Sequence, residues 1–118
     1  EFKGTHSNPL IPLKKADLFI HTSKFEGFGM VLLEAMDANL PIIASHNSAI
    51  IEVLEEAGAG NYFHTSNANE LAIRVIEFFE GKIPVSNYIE EQNARLEFFN
   101  IKRMSSQLQE IYYEVLSR

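Results

Sequence analysis

The sequence predicts an α/β fold: a partial Rossmann-like, three-layer domain with a narrow parallel sheet, followed by C-terminal helices. Short apolar runs alternate with helical patterns along most of the chain, as they do where crossover helices join parallel strands. The first of these runs is apolar on consecutive residues instead of every second one, which suits strands covered on both faces. Glycine, asparagine and proline punctuate the joins.

Taken in order, a sliver of strand at Phe2 precedes a first clear strand over residues 17–21. A loop over 22–27 leads into a helix over 28–38, whose Met30, Val31, Leu32, Leu33, Ala35 and Met36 leave little polar girth. Such a helix is expected to be buried on several sides. Asn39 can close it in a left-handed conformation and Pro41 cannot continue it. The second strand is read over 41–45, with a small polar loop over 46–48 and a helix over 49–57 stopped by Gly58 and Gly60. A third strand runs over Asn61–His64. Asn67, with Glu70 three residues on, forms the pattern of a helix cap with a reciprocal acidic partner. That helix reaches Phe79 and stops at Gly81, Pro84 breaks the chain, and two more helices cover 86–98 and Ile101–Leu116. Three strands and a sliver are few for a free-standing parallel sheet. The opening Glu1-Phe2-Lys3-Gly4 has no initiator Met and no signal-peptide pattern, so a piece of a longer protein is expected, with further strands upstream.

The chain has 118 residues, 46% apolar and 22% charged, ordinary values for a globular domain. Its net charge of −6, with Lys14-Lys15 and Lys102-Arg103 as isolated basic pairs, argues against a nucleic-acid partner, which needs a basic face. Without cysteine there is neither a disulfide framework nor a thiolate metal site, consistent with a cytoplasmic protein. No apolar run approaches the roughly 18 residues of a membrane span. His6, His21, His46 and His64 lack metal-ligand spacing, so no metal is expected.

Ligands of open parallel sheets bind beyond the carboxyl ends of the strands, which places the candidate site on the loops 22–27, 46–48 and 65–67. The first is the richest. Glu26 stands at its tip, and Gly27-Phe28-Gly29 opens a helix. Glycines admit close approach of a ligand to backbone, and the free amides and dipole of a helix start favour phosphate. Glu34 lies five residues past Gly29, roughly 7–8 Å along the helix axis. Among apolar neighbours its carboxylate needs partners. Ribose hydroxyls are one candidate, as in dinucleotide-binding folds; backbone amides or a lysine are the structural alternative. His21 and His46 follow strands on the ligand side and could touch sugar hydroxyls, and Lys24 could assist a phosphate. Phe78, Phe79, Phe98, Phe99, Tyr112 and Tyr113 read as core and helix packing.

Glu26 and Glu34 are separated by seven residues in a segment reading, from Ser23, Ser-Lys-Phe-Glu-Gly-Phe-Gly-Met-Val-Leu-Leu-Glu-Ala-Met. It resembles the E-x7-E signature of retaining glycosyltransferases of the GT-B fold, family 4 (glycosyl transferases group 1). Ala16-Asp17-Leu18-Phe19-Ile20 resembles the strand before that signature and Leu40-Pro41-Ile42-Ile43-Ala44-Ser45 the strand after it. Ile50, Glu52-Val53 and Gly60 also fall in place, as does Phe2-Lys3-Gly4 upstream. The resemblance implies that Glu26 meets hydroxyls of the transferred sugar near its anomeric carbon. Backbone amides of Phe28, Gly29 and Met30, beside Gly27, would face sugar and diphosphate, and Glu34 would hold the ribose.

The implied reaction is retaining transfer from a UDP-, GDP- or ADP-linked sugar, with no metal or other cofactor. The acceptor, a sugar or lipid-linked saccharide, would bind an N-terminal domain outside this chain, and any peripheral membrane association would come through such parts, at the inner face of the membrane. The resemblance divides the chain into a donor-binding domain over 1–99 and a helix over 100–118 that packs toward the N-terminal domain, with Tyr112, Tyr113 and Leu116 as contacts. Two departures stand out: Ser48-Ala49 replaces a usual Gly-Gly pair and Ile51 a usual proline. The basic residues that neutralise the diphosphate would lie upstream, so this chain alone is expected to be inactive. A non-catalytic nucleotide-sugar-binding module is the main alternative. A sugar-nucleotide epimerase on the same architecture is disfavoured by the E-x7-E segment.

Overall fold

The computed structural model describes residues 1–2, 4–55 and 60–117. Among the described residues nine elements follow one another: α1 (Leu10–Leu13), β1 (Phe19–His21), α2 (Met30–Asp37), β2 (Ile42–His46), α3 (Ser48–Leu54), β3 (Asn61–His64), α4 (Ala68–Phe79), α5 (Val85–Phe98) and α6 (Ile101–Leu116). The strands form a parallel sheet in the order β1-β2-β3, with Phe19 opposite Ile42 and Ser45 opposite Phe63. The α/β class and the parallel sheet are as the sequence predicts.

The apolar runs explain the middle strand. Ile42, Ile43, Ala44 and Ser45 are all buried, as they must be when helices cover both faces. By alternation, Ile42 and Ala44 join Leu32, Ala35 and Met36 of α2 and Ile50, Val53 and Leu54 of α3 in one core cluster. Leu33, Leu96 and Phe99 pack against its edge. At about 25 cal/mol per Å² of apolar area, each fully buried Leu, Ile, Val or Met among them contributes about 1.5–3 kcal/mol.

The helix ends follow local chemistry. Asn39, at φ +56°, lets Leu40 N–H reach the Ala35 carbonyl at 3.0 Å and Asn39 N–H the Met36 carbonyl at 2.8 Å, a Schellman closure of α2. Gly81 at φ +71° ends α4 the same way, through Lys82 to Glu77 and Gly81 to Phe78. The Asn67 side chain accepts from Glu70 N–H at 3.1 Å, so the cap forms. Its reciprocal half is different: the Glu70 carboxylate takes the backbone N–H of His64 and its Nδ1, each at 2.8 Å. Asn67 N–H donates to the His64 carbonyl instead.

Several boundaries depart from expectation. Phe2 is fully exposed and belongs to no strand, so the outer edge of β1 is left unpaired among the described residues. The short helix α1 was not expected. β1 begins at Phe19, whose N–H donates to the Pro41 carbonyl at 2.9 Å, and proline has no N–H to extend the ladder further back. β2 continues to His46 because β3 pairs with it there. α2 begins at Met30, since Gly29 at φ +82° cannot be helical. α3 begins at Ser48, capped by Asn47, whose side chain accepts from Ile50 N–H. α3 ends at Leu54, short of the expected 57, because Glu55 leaves the helix at φ +57°; Ala57 and Gly58 themselves lie outside the described residues.

Arg95 ties α5 to the core. It is almost fully buried, donating to the Val53 carbonyl at 3.0 Å, to the Glu52 carbonyl at 2.6 Å and to the Glu55 carboxylate at 2.7 Å. The carbonyls at the end of α3 are thereby satisfied by a guanidinium fork. Beyond it, α6 projects from the domain: the radius of gyration is 16.5 Å, against about 13.5 Å for a compact chain of this length. Ile101, Met104, Leu108, Ile111 and Val115, spaced as one helix face, are all exposed, as are Tyr112 and Tyr113. Phe79 and Phe98 are also exposed. Of the six aromatic residues expected to pack, Phe99 alone joins the edge of the core cluster. Among the described residues no helix is long and apolar enough to cross a membrane.

Candidate functional site

The loop between β1 and α2 is tied down at its start. Ser45 Oγ, fully buried, donates to the Ser23 carbonyl at 2.6 Å, and Asn47 Nδ2 donates to the same carbonyl at 3.1 Å. Both donors stand at the carboxyl end of β2, so the neighbouring strand sets the path of the loop. Thr65 Oγ1 similarly donates to the His46 carbonyl at 3.1 Å, joining the loops after β2 and β3. Neither tether was foreseen, although small polar residues closing apolar strands are the signal for it.

At the far end the chain turns on Gly29. Its left-handed φ is one that non-glycine residues avoid, and a Cβ there would stand 3.0 Å from Leu32 Cδ1 and 3.3 Å from Glu26 Cγ. Gly29 therefore does two things: it aims α2 and lets Glu26 fold over the turn. Gly27 does neither, having open space where a Cβ would go and an ordinary φ. The amides of Phe28, Gly29, Met30 and Val31 donate to no acceptor among the described residues. These amides at the positive end of a helix are suited to an anion.

Glu26 is partly buried, and its Oε2 lies 3.3 Å from Nε2 of His21, the buried last residue of β1. Phe28 turns its ring edge-on to Phe99 at 5.3 Å. Phe28, Met30 and Leu33 line, with Phe98, Phe99, Ile101 and Met104 among others, an apolar cleft of about 580 Å³. Lys24 is exposed, beside a small cleft with Thr22, Phe63 and Asn67.

Glu34 corrects an expectation. It is half-buried, lining a shallow cleft of about 410 Å³ with Asn8, Pro9, Leu10, Leu33, Asp37 and Leu96. Its side chain makes no hydrogen bond or ion pair among the described residues. The partners that full burial would have required are unnecessary, because water reaches the carboxylate. The buried side of α2 is instead that of Leu32, Ala35 and Met36, and the exposed Met30 shows that the helix is not covered all round. Among the described residues no three His, Asp or Glu side chains gather as a metal-holding group.

A parallel sheet whose crossover helix between β1 and β2 opens on a left-handed glycine, with amides unpaired among the described residues and a carboxylate over the turn, is the arrangement of an open α/β domain. The chain belongs to the family of glycosyl transferases group 1, whose profile matches residues 1–96. It is 30% identical over 116 residues to N-acetyl-alpha-D-glucosaminyl L-malate synthase of Bacillus anthracis, covering 98% of this chain and 30% of that protein. It is 29% identical over 90 residues to the phosphatidyl-myo-inositol mannosyltransferase of Mycolicibacterium smegmatis, covering 76% of this chain and 23% of that one. The chain thus spans about a third or less of the length of these relatives. Among solved structures, HepE of Anabaena in complex with UDP superposes with a TM-score of 0.86 at 23% identity, over 97% of this chain and 32% of that one. The sucrose-phosphate synthase of Thermosynechococcus elongatus does so with a TM-score of 0.78 at 21% identity, over 91% and 27%. These likenesses show a glycosyltransferase fold of the GT-B type.

Proposed function

We propose that this chain is the donor-binding part of a retaining, family-4 glycosyltransferase that moves a hexosyl group from a nucleotide sugar to an acceptor. The observation that carries the reading is the Gly29 turn, which folds Glu26 over a helix start whose four amides are unpaired among the described residues. A diphosphate docks on the amides of Phe28, Gly29 and Met30, beside Gly27, by charge and dipole. Glu26 accepts from sugar hydroxyls and stabilises positive charge that develops near the anomeric carbon. Glu34, water-accessible on the same helix, takes the ribose hydroxyls. HepE structures with UDP and with UDP-glucose support a uridine nucleotide sugar as the first donor to test.

The proposal includes no metal ion. It assigns the cations that neutralise the leaving diphosphate, and the acceptor site, to parts of the protein outside this chain, with residues 100–118 packing toward them. Without that electrostatic contribution the chain alone binds donor weakly and does not turn it over. In the whole protein we place the reaction in the cytoplasm, at the inner face of the membrane if the acceptor is lipid-linked.

Titration with UDP and UDP-glucose, followed by amide resonances, tests the site. The expected result is a millimolar-range shift of Phe28–Glu34, an affinity of about −4 kcal/mol. A folded chain whose Phe28–Glu34 amides stay unmoved by either compound rules the assignment out.

A further inference from the structure

We propose that His21 is a positioning residue for Glu26, holding one carboxylate oxygen so that the other is presented to the sugar; this rests on the donor-site reading above. His21 is fixed on every side. Its backbone is opposite Ala44 in the sheet, and its ring stacks on Phe19 with centroids 6.3 Å apart at 30°. The side chain is 8% exposed. Its one polar contact among the described residues is Nε2 to Glu26 Oε2 at 3.3 Å, while Nδ1 is buried and receives no hydrogen bond.

The proton position follows. A bare Nε2 lone pair would face a carboxylate oxygen, and a neutral ring protonated on Nδ1 would strand a buried donor. Nε2 therefore carries the hydrogen that faces Glu26. Glu26 has no other polar partner among the described residues. It is held between this N–H and the close pass of Gly29 beneath its Cγ. Oε1 is left as an acceptor for a hydroxyl. His21 touches no ligand; its effect reaches the sugar through Glu26 and leaves the nucleotide contacts, on the amides and Glu34, alone. It thus separates sugar binding from nucleotide binding.

The test compares affinities for UDP and UDP-glucose by amide titration of the intact chain. His21→Phe keeps a ring against Phe19 and removes both ring nitrogens; His21→Leu removes the same nitrogens with a smaller, aliphatic side chain if Phe does not fit. Either lowers the preference for UDP-glucose over UDP about twofold to fivefold, the scale of one weak polar contact to a partly exposed carboxylate, and leaves UDP affinity unchanged. His21→Gln, whose amide N–H reaches the place of Nε2, restores most of the preference. Glu26→Gln sets the reference for losing the carboxylate.

Wild-type preference retained in a folded His21→Phe or His21→Leu, with Glu26→Gln impaired, overturns the positioning role alone. Equal loss for both compounds without rescue by His21→Gln makes His21 merely structural and overturns it too. If the wild-type chain binds neither compound, or binds both equally, the donor-site reading or its sugar contact fails first and the positioning role falls with it.

Discussion

Replacing Gly29 by alanine is the perturbation whose size the structure defines best. At φ +82° an L-residue adopts a left-handed backbone, at about 1–2 kcal/mol. The new Cβ would stand 3.0 Å from Leu32 Cδ1, and Leu32 is fully buried in the core cluster, so it has nowhere to retreat. Crowding of this kind adds about 1 kcal/mol or more. Gly29→Ala should therefore destabilise the domain by about 2–3 kcal/mol, lowering Tm by about 10 °C or more at this size. Gly27→Ala is the internal control. With nothing within 4 Å of its Cβ and no positive φ, it should fall within about 0.5 kcal/mol of wild type, toward the stabilising side. Thermal unfolding by circular dichroism, both variants in one buffer, reads the difference. A Gly29→Ala protein melting within about 3 °C of wild type, or a larger drop for Gly27→Ala, would refute the assignment of the turn to Gly29.

Other perturbations separate the parts of the fold. Arg95→Met strips three hydrogen bonds and leaves the carbonyls of Glu52 and Val53 without that donor; denaturant unfolding should show a loss of about 2–4 kcal/mol. Arg95→Lys, lacking the planar fork, should recover only part of it. Ile50→Ala, in the core, should cost about 2–5 kcal/mol, whereas Ile111→Ala on the uncovered face of α6 should cost under about 0.5 kcal/mol; equal losses would mean that α6 is docked on the domain in solution. The backbone N–H of His64, then its ring, holds the Glu70 carboxyl below its ordinary 4.5. A lowered carboxylate pKa contributes stability above the unfolded value that disappears as pH falls through the folded one. The Tm gap between wild type and Glu70→Gln should therefore be steady above about pH 5 and close on acidification below 4.5; a gap that widens in acid contradicts the pairing.

What could be read along the chain was whatever neighbours in sequence decide. Asn39 and Gly81 end their helices in left-handed conformations, and Asn67 caps α4, because capping involves residues two to five apart. The apolar runs set the strands and their parallel pairing, and the seven-residue spacing set Glu26 and Glu34 on one loop-helix unit. Reading failed where a residue's environment comes from far away. Glu34 looked buried because its sequence neighbours are apolar, yet those neighbours turn to the core and leave it in a shallow cleft. Glu70 fitted a capping box, but β3 offered its carboxylate a backbone N–H and an imidazole together.

The sequence by itself determined the α/β order, the helix stops and the glycine-opened helix start, since each rests on short-range sterics and capping. Only the tertiary structure decided that His21 meets Glu26, that Ser45 and Asn47 hold the loop through Ser23, that Arg95 closes α3, and that the apolar face of α6 is left uncovered. Most of these contacts join different elements, and the others depend on how the loop folds back or on what covers a helix. They are set by how the sheet and helices stack, which no local pattern records.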